Sequence, residues 1–339
     1  MAEFLDAADS LRRKQTIGKY TESFELVSRA IAALQQVHSK SSLDLDNIES
    51  VFAAFDMALL FDREFGKLTR DEIQNLPSAM RQVIVYTLEQ TINLPFSDGH
   101  VRPPKPYVEF AELVNDLRED HRETASIITF NYDLCLDYAF HFTSRGVDYA
   151  LGATGGIPLL KLHGSLNWAR CSKCDAVRPW SLNEFFSTHN WRTYELTPNT
   201  PLKLALVDHI PTVMKHCDQD MPADPMIVPP TWNKTQHHRV IAKVWQSAAQ
   251  HLSEAENIFV IGYSLPESDQ FFRYLFAIGT AGGPPLKKFW VFNPDDSGEV
   301  KRRYEDLLGQ AARKRFEYSP FIFSGALHPL RSYLGLNKA

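Results

Sequence analysis

Ser126-Ile127-Ile128-Thr129-Phe130 runs directly into Asn131-Tyr132-Asp133. Four of its first five residues are β-branched or aromatic, and such a run without polar alternation reads as a strand buried on both faces, the form strands take in parallel sheets. The polar triplet marks where that strand meets a loop and then a helix. Three later stretches follow the same grammar. Pro158 to Leu162 leads into His163-Gly164-Ser165, Asn257 to Ile261 into Gly262-Tyr263-Ser264, and Lys287 to Phe292 into Asn293-Pro294-Asp295. A shorter run, Met226 to Val228, reads as a further strand. Helical stretches lie between them at Asp133 to Phe142, Val240 to Glu254, Glu267 to Ile278 and Ser297 to Ala311. This alternation predicts an α/β fold: a doubly wound, mostly parallel Rossmann-like sheet.

Ahead of this block the chain reads as helix. Apolar residues recur at three and four spacing in Ile48-Val51-Phe52-Phe55-Leu59-Leu60, in Met80-Val83-Ile84-Tyr86-Leu88 and in Val108-Phe110-Leu113-Leu117. Asp46 is placed to cap the first of these helices, and Pro103-Pro104-Lys105-Pro106 makes a stiff connection before the last. The expected organisation is a mainly helical region over 1–124, packed on a core domain over 125–339. Between Arg170 and Pro225 the βα pattern breaks into a polar and aromatic stretch, read as a small inserted module over 170–225.

The 41 acidic and 36 basic side chains, formal net charge -5, form no long like-charge runs, so a general nucleic-acid-binding surface has no support. No window approaches the roughly 18 consecutive apolar residues that a spanning helix needs. The start, Met1-Ala2-Glu3-Phe4-Leu5-Asp6, lacks a basic-then-apolar leader pattern. A cytoplasmic protein without membrane attachment is expected. Four cysteines in 339 residues are too sparse for a disulfide scaffold; Cys171 and Cys174 form a C-x-x-C pair typical of metal or redox chemistry.

In open α/β sheets ligands bind outside the carboxyl ends of the strands, where backbone amides and helix N-termini face a crevice. Any one of the four polar endings could be a routine turn or helix cap. Four endings at four strands are hard to explain as capping, and they predict that Asn131, Asp133, His163, Gly262, Ser264 and Asn293 converge on one cleft.

The motifs Thr129-Phe130-Asn131-Tyr132-Asp133, Lys161-Leu162-His163-Gly164-Ser165, Gly262-Tyr263-Ser264-Leu265-Pro266-Glu267-Ser268-Asp269 and Phe292-Asn293-Pro294-Asp295 resemble the ordered signatures of the sirtuin superfamily. They look most like its bacterial sirtuin-like branch found in phage-defence proteins. The resemblance spans Ser126 to Asp295, about half the chain. It implies NAD as ligand. By position it makes Asn131 and Asp133 the residues that hold the nicotinamide ribose and a nearby water, and His163 the catalytic histidine. Thr129, Gly262, Ser264, Asn293 and Asp295 become cofactor-binding, with Gly262 and Ser264 against the phosphates and adenosine ribose and Asn293 at the adenine ribose. A homo-oligomer or a defence-system partner protein is the further implication.

The chemistry is coherent on its own terms. Nicotinamide leaves NAD as a neutral molecule because it begins as a pyridinium, so no general acid is needed on the leaving group. What remains is an oxocarbenium-like transition state and a nucleophile to deliver, as in other glycosyl cleavages. A histidine, with an ordinary pKa near 6.5, can take a proton from water or a ribose hydroxyl at neutral pH, and an asparagine amide can orient that group.

The chain departs from the sirtuin pattern in two places. The family opens with a strand and a glycine-rich Gly-Ala-Gly-x-Ser turn that cradles pyrophosphate; no such segment is present, and Met1 falls at what reads as the helix after it. A late start, a trimmed chain or a lost phosphate loop are the alternatives. Sirtuins also often hold structural zinc on two C-x-x-C pairs. Here Cys171 and Cys174 supply one pair, and Cys217, with His216 or Asp220 as fourth ligand, supplies the other half; Cys135 reads as core. Lys234 could face a phosphate, and His237 and His238 read as a loop. Three functions compete: an NAD glycohydrolase acting in anti-phage defence, a non-catalytic nucleotide-binding or scaffold domain, and an NAD-dependent protein deacylase.

Overall fold

The computed structural model describes residues 2–14, 17–36, 48–63, 67–97, 100–119, 124–152, 155–182, 202–203, 214–222, 224–228, 239–266 and 269–336. The chain begins with helices α1 (Ala2–Arg13), α2 (Thr21–Gln35), α3 (Ile48–Leu60) and α4 (Arg70–Thr91), short strands β1 (Asn93–Leu94), β2 (Phe96–Ser97) and β3 (His100–Val101), and α5 (Lys105–Glu119). It continues through β4 (Ile127–Thr129), α6 (Cys135–Phe142), β5 (Val147–Asp148), β6 (Ile157–Lys161), β7 (Trp168–Arg170), β8 (Val177–Pro179), β9 (Leu202–Lys203), β10 (Lys215–His216) and β11 (Gln219–Asp220). It closes with α7 (Ala242–Glu254), β12 (Asn257–Ile261), α8 (Gln270–Gly279), β13 (Lys288–Phe292), α9 (Glu299–Leu307), α10 (Gln310–Arg313), β14 (Phe316–Ser319) and α11 (Phe323–Tyr333).

The chain forms two compact units. One comprises Met1–Arg102, Phe130–Leu134 and His163–Ile241; the other comprises Pro103–Thr129, Cys135–Leu162 and Ala242–Ala339. The second unit holds the parallel strands. They form two three-stranded sheets, in the orders β4-β6-β5 and β12-β13-β14, with every pairing parallel. Among the described residues pairing stops at the outer edges of β4 and β12. Burial follows from this. The central strand β13 is buried from Phe289 to Phe292, whereas β4 and β12 are half-buried throughout. Both of those edges border one apolar cluster, in which Ile127 of β4 and Phe259 and Ile261 of β12 pack with Val114, Phe140 and Leu330. Thr129 lies opposite Lys161, so β4 and β6 end side by side.

The four main strands formed where expected to within one residue at each end; the one expected over Pro158 to Leu162 lies one residue earlier, at Ile157–Lys161. Two elements differ. Met226–Val228 is not a strand: it makes a single antiparallel bridge, Ile227 to Gly164, and its backbone bonds are divided between His163 and Ser165 after β6 and Trp168 at the start of β7. The helix expected over Ser297–Ala311 is two helices, since Leu308 takes an extended conformation (ψ 132°) and Gly309 restarts the chain. The proposed Asp46 cap, Glu267, Lys234, His237, His238 and much of the inserted module (183–201, 204–213 and 223) lie outside the described residues.

In the first unit, α2 and α4 pack through Phe24, Val27 and Leu34 against a face of α4 that buries Ile73, Met80 and Val83. Thr69 and Glu72 form a capping box that satisfies free N–H groups at the start of α4. Further along α4, Arg81 pairs with Asp224 at 2.8 Å, tying the helix to the segment just before Met226.

Candidate functional site

Within the first unit, the residues after β4 and those after β6 are joined by backbone bonds. Leu166 donates its N–H to the Tyr132 carbonyl (3.1 Å), and Ser165 reaches the same oxygen through Oγ (3.5 Å). The Met226–Val228 strap lies across both: Ser165 N–H donates to the Met226 carbonyl (3.0 Å), Val228 N–H to the His163 carbonyl (2.7 Å), and the Tyr132 hydroxyl to the Val228 carbonyl (2.7 Å). Gly164 makes this approach possible, since at φ +83° any Cβ would collide with the Met226 carbonyl oxygen. Asn131 is exposed, and Asp133 and His163 are half-buried. The His163 ring has Phe130 edge-on at 5.0 Å and Tyr132 at 6.1 Å. Sequence reading selected Asn131, Asp133 and His163 but passed over Tyr132, whose partner is 96 residues away.

The second unit brings Gly262 and Asn293 to neighbouring strand ends. Gly262 N–H donates to the Phe292 carbonyl at 2.8 Å, and Gly262 itself is exposed at φ +77°. The loop after it is pinned from below: Tyr304 donates to the Tyr263 carbonyl (2.8 Å), Arg303 to the Ser264 carbonyl (3.3 Å), and Tyr263 to Asp269 (2.6 Å). Burial pushes the Tyr304 hydroxyl pKa far up, so it stays a donor. Asn293 is buried, and its Oδ1 accepts from the Asp295 N–H at 3.0 Å. Asp295 spends its carboxylate locally, accepting from the Ser297 hydroxyl (2.6 Å) and from the Val300 N–H (3.0 Å) at the start of α9. Thr129 ends β4, where its carbonyl accepts from the Leu162 N–H at 2.9 Å.

The cysteine module also lies in the first unit. Cys171 and Cys174 sit on the turn of the β7–β8 hairpin, where Asp175 adopts φ +62° and its N–H returns to the Cys171 carbonyl. His216 and Cys217 sit on the β10–β11 turn. Its two central residues, Cys217 and Asp218, both have positive φ (52° and 61°), a conformation that costs non-glycine residues roughly 1–3 kcal/mol each unless the surroundings hold it. The ligand atoms of Cys171, Cys174, His216 and Cys217 all lie within 4.8 Å of one another. Cys174 and Cys217 sulfurs are 3.5 Å apart, and His216 Nδ1 is 3.4 and 3.2 Å from them. With Zn–S near 2.3 Å and Zn–N near 2.0 Å, tetrahedral ligand atoms stand roughly 3.3–3.8 Å apart, so this set fits zinc. The fourth position goes to His216 and not to Asp220. Burial pushes the Cys171 thiol up, but the N–H groups of Lys173 and Cys174, with His216 and Gln219, outweigh it and bring it to about 6. The hydrogen bond from Cys217 to Cys174, with burial and the neighbouring sulfurs, raises Cys217 to about 11. A metal-free cluster therefore keeps a proton that a divalent cation would displace. Cys135 is buried in α6 and is not among the clustered ligand atoms.

A buried chain of polar groups links the hairpin to the residues after β6. Ser165 Oγ donates to Asn167 Oδ1 (2.8 Å), and the Trp180 N–H donates to the Asn167 carbonyl (2.7 Å).

No family model matches the chain, and a search of curated proteins found no match. Among solved structures it is similar to "Sir2 bound to acetylated peptide", at 14% identity over 78% of this chain and 83% of that one, TM-score 0.38. It is also similar to a "Sir2 homolog-NAD complex", at 17% identity over 79% of this chain and 77% of that one, TM-score 0.37. No helix among the described residues is long and apolar enough to cross a membrane.

Proposed function

We propose that this chain binds NAD at the polar ends of its parallel strands and hydrolyses the nicotinamide–ribose bond, with His163 as the base. The observation that supports this most directly is the set of bonds fastening Asn131-Tyr132-Asp133 to His163-Gly164-Ser165. Two short polar motifs from separate strands are held together there, with Asn131 exposed and His163 and Asp133 half-buried. In the reaction the C1′–N bond breaks and its electron pair leaves with nicotinamide, which departs neutral. Water adds to C1′, and its proton passes to His163 and then to solvent, giving ADP-ribose. Asn131 orients the water or ribose through its amide, and Asp133 places a carboxylate beside the positive charge that develops. Gly262, Ser264 and Asn293 are assigned to the phosphates and the adenosine.

A bound zinc would be structural, clamping the two hairpin turns that carry Cys171, Cys174, His216 and Cys217. The likeness of the four motifs to the defence branch supports an anti-phage setting in which a homo-oligomer, or this chain with a partner protein, depletes NAD.

Incubating the purified protein with NAD and quantifying nicotinamide and ADP-ribose tests the reading. Release without any peptide supports it. A requirement for an acetylated peptide would make the protein a deacylase, and binding without turnover would make it a non-catalytic nucleotide binder.

A further inference from the structure

We propose that Tyr132 is the positioning residue for His163, the side chain that fixes where the imidazole stands. This rests on the reading of His163 as the base. Three hydrogen bonds close a circuit through both residues. The Tyr132 hydroxyl donates to the Val228 carbonyl (2.7 Å), the Val228 N–H donates to the His163 carbonyl (2.7 Å), and the Leu166 N–H, three residues past His163, donates to the Tyr132 carbonyl (3.1 Å). Because the circuit begins and ends at Tyr132, a displacement of the His163 backbone strains the bonds that tie it to Tyr132.

Ring contacts add a second constraint. The Tyr132 ring is 6.1 Å from the imidazole at an interplanar angle of 30°, and Phe130 meets the imidazole edge-on at 5.0 Å and 64°. The imidazole is thus in contact with two aromatic rings from the segment that also carries Asn131 and Asp133. An aliphatic residue between Asn131 and Asp133 would serve for packing alone. A phenol adds the bond to Val228, and Val228 belongs to a strap whose other fastenings, Met226 N–H to the Trp168 carbonyl (2.7 Å) and Asp224 to Arg81, keep it in place. Rigid support of this kind is what catalytic geometry requires, since a misplacement of about 1 Å can cost on the order of 100-fold in rate.

Two variants of the full chain separate positioning from simple stabilisation. Tyr132→Phe keeps the ring and removes the hydroxyl; Tyr132→Leu removes both. Each is compared with wild type for kcat and KM of nicotinamide release and for the His163 ring signal in NMR, identified by its loss in His163→Ala. Tyr132→Phe should lower kcat about tenfold and Tyr132→Leu about 100-fold, with KM changed less than about twofold. The His163 signal should move in both, and the partial rescue by Phe marks the ring's share. Wild-type kcat in both variants, or a His163 signal that stays put in both, overturns the proposal. If wild type releases no nicotinamide, the assignment of His163 as base fails, and the His163 signal alone decides whether Tyr132 positions it. If Tyr132→Leu does not fold, Tyr132→Phe carries the test.

Discussion

Lys161 on β6 and Asp137 on α6 form an ion pair at 2.9 Å, each side chain only 1% exposed. The Tyr149 hydroxyl donates to the second carboxylate oxygen at 2.5 Å, so the buried charge is satisfied from two sides. Removing one member of such a pair strands a desolvated charge and costs roughly 3–5 kcal/mol, whereas replacing both by apolar residues of similar volume is often neutral. Asp137→Ala should therefore lower the unfolding free energy in urea by about that amount. The double variant Lys161→Met, Asp137→Leu should recover most of the loss, and an equal loss in single and double variants would contradict this.

The cysteine cluster calls for metal analysis. Protein purified without chelators should carry about one zinc per chain, and less than about 0.2 would contradict the site, because structural zinc binds tightly. His216→Ala should lose zinc on dialysis while Asp220→Ala retains it. The reverse order would overturn the assignment of the fourth ligand.

Asp295 provides a pH test. The Ser297 hydroxyl, and next the Val300 N–H, hold its pKa below the ordinary value of 3.8. A carboxyl whose folded pKa is depressed contributes stability above its unfolded pKa and loses it as the pH falls through the folded one. Asp295→Asn should thus lower the thermal midpoint at neutral pH. The gap from wild type should begin to close once the pH drops under 3.8 and should narrow further in stronger acid. A gap that does not change with pH would show that the carboxylate charge does not matter there.

Much of the second unit was legible because its strands are local signals. Ile258–Ile261 and Phe289–Phe292 are unbroken apolar runs, and such runs became parallel strands in register. β14 escaped notice because Phe316-Glu317-Tyr318-Ser319 alternates, as an outer strand with one half-solvated face does. Met226–Val228 misled in the opposite direction, since three apolar residues are enough to suggest a strand but their bonds go to His163, Ser165 and Trp168. The C-x-x-C pair announced the cysteine–histidine cluster. The choice of His216 over Asp220 depended on a turn with two positive-φ residues that composition does not betray. Tyr132 and the Lys161–Asp137 pair were invisible for a common reason: their partners are fixed by tertiary packing, 96 and 24 residues away.

The central claim is that His163 is the base for cleavage of NAD. Wild-type protein and His163→Ala, both shown to be folded by an unchanged thermal midpoint, are incubated with NAD and free nicotinamide is followed with time. Deleting a general base costs on the order of 10²- to 10⁴-fold, so release by His163→Ala should fall by at least 100-fold, while release by wild type proceeds without any acylated peptide. Equal rates in the two proteins would contradict the assignment.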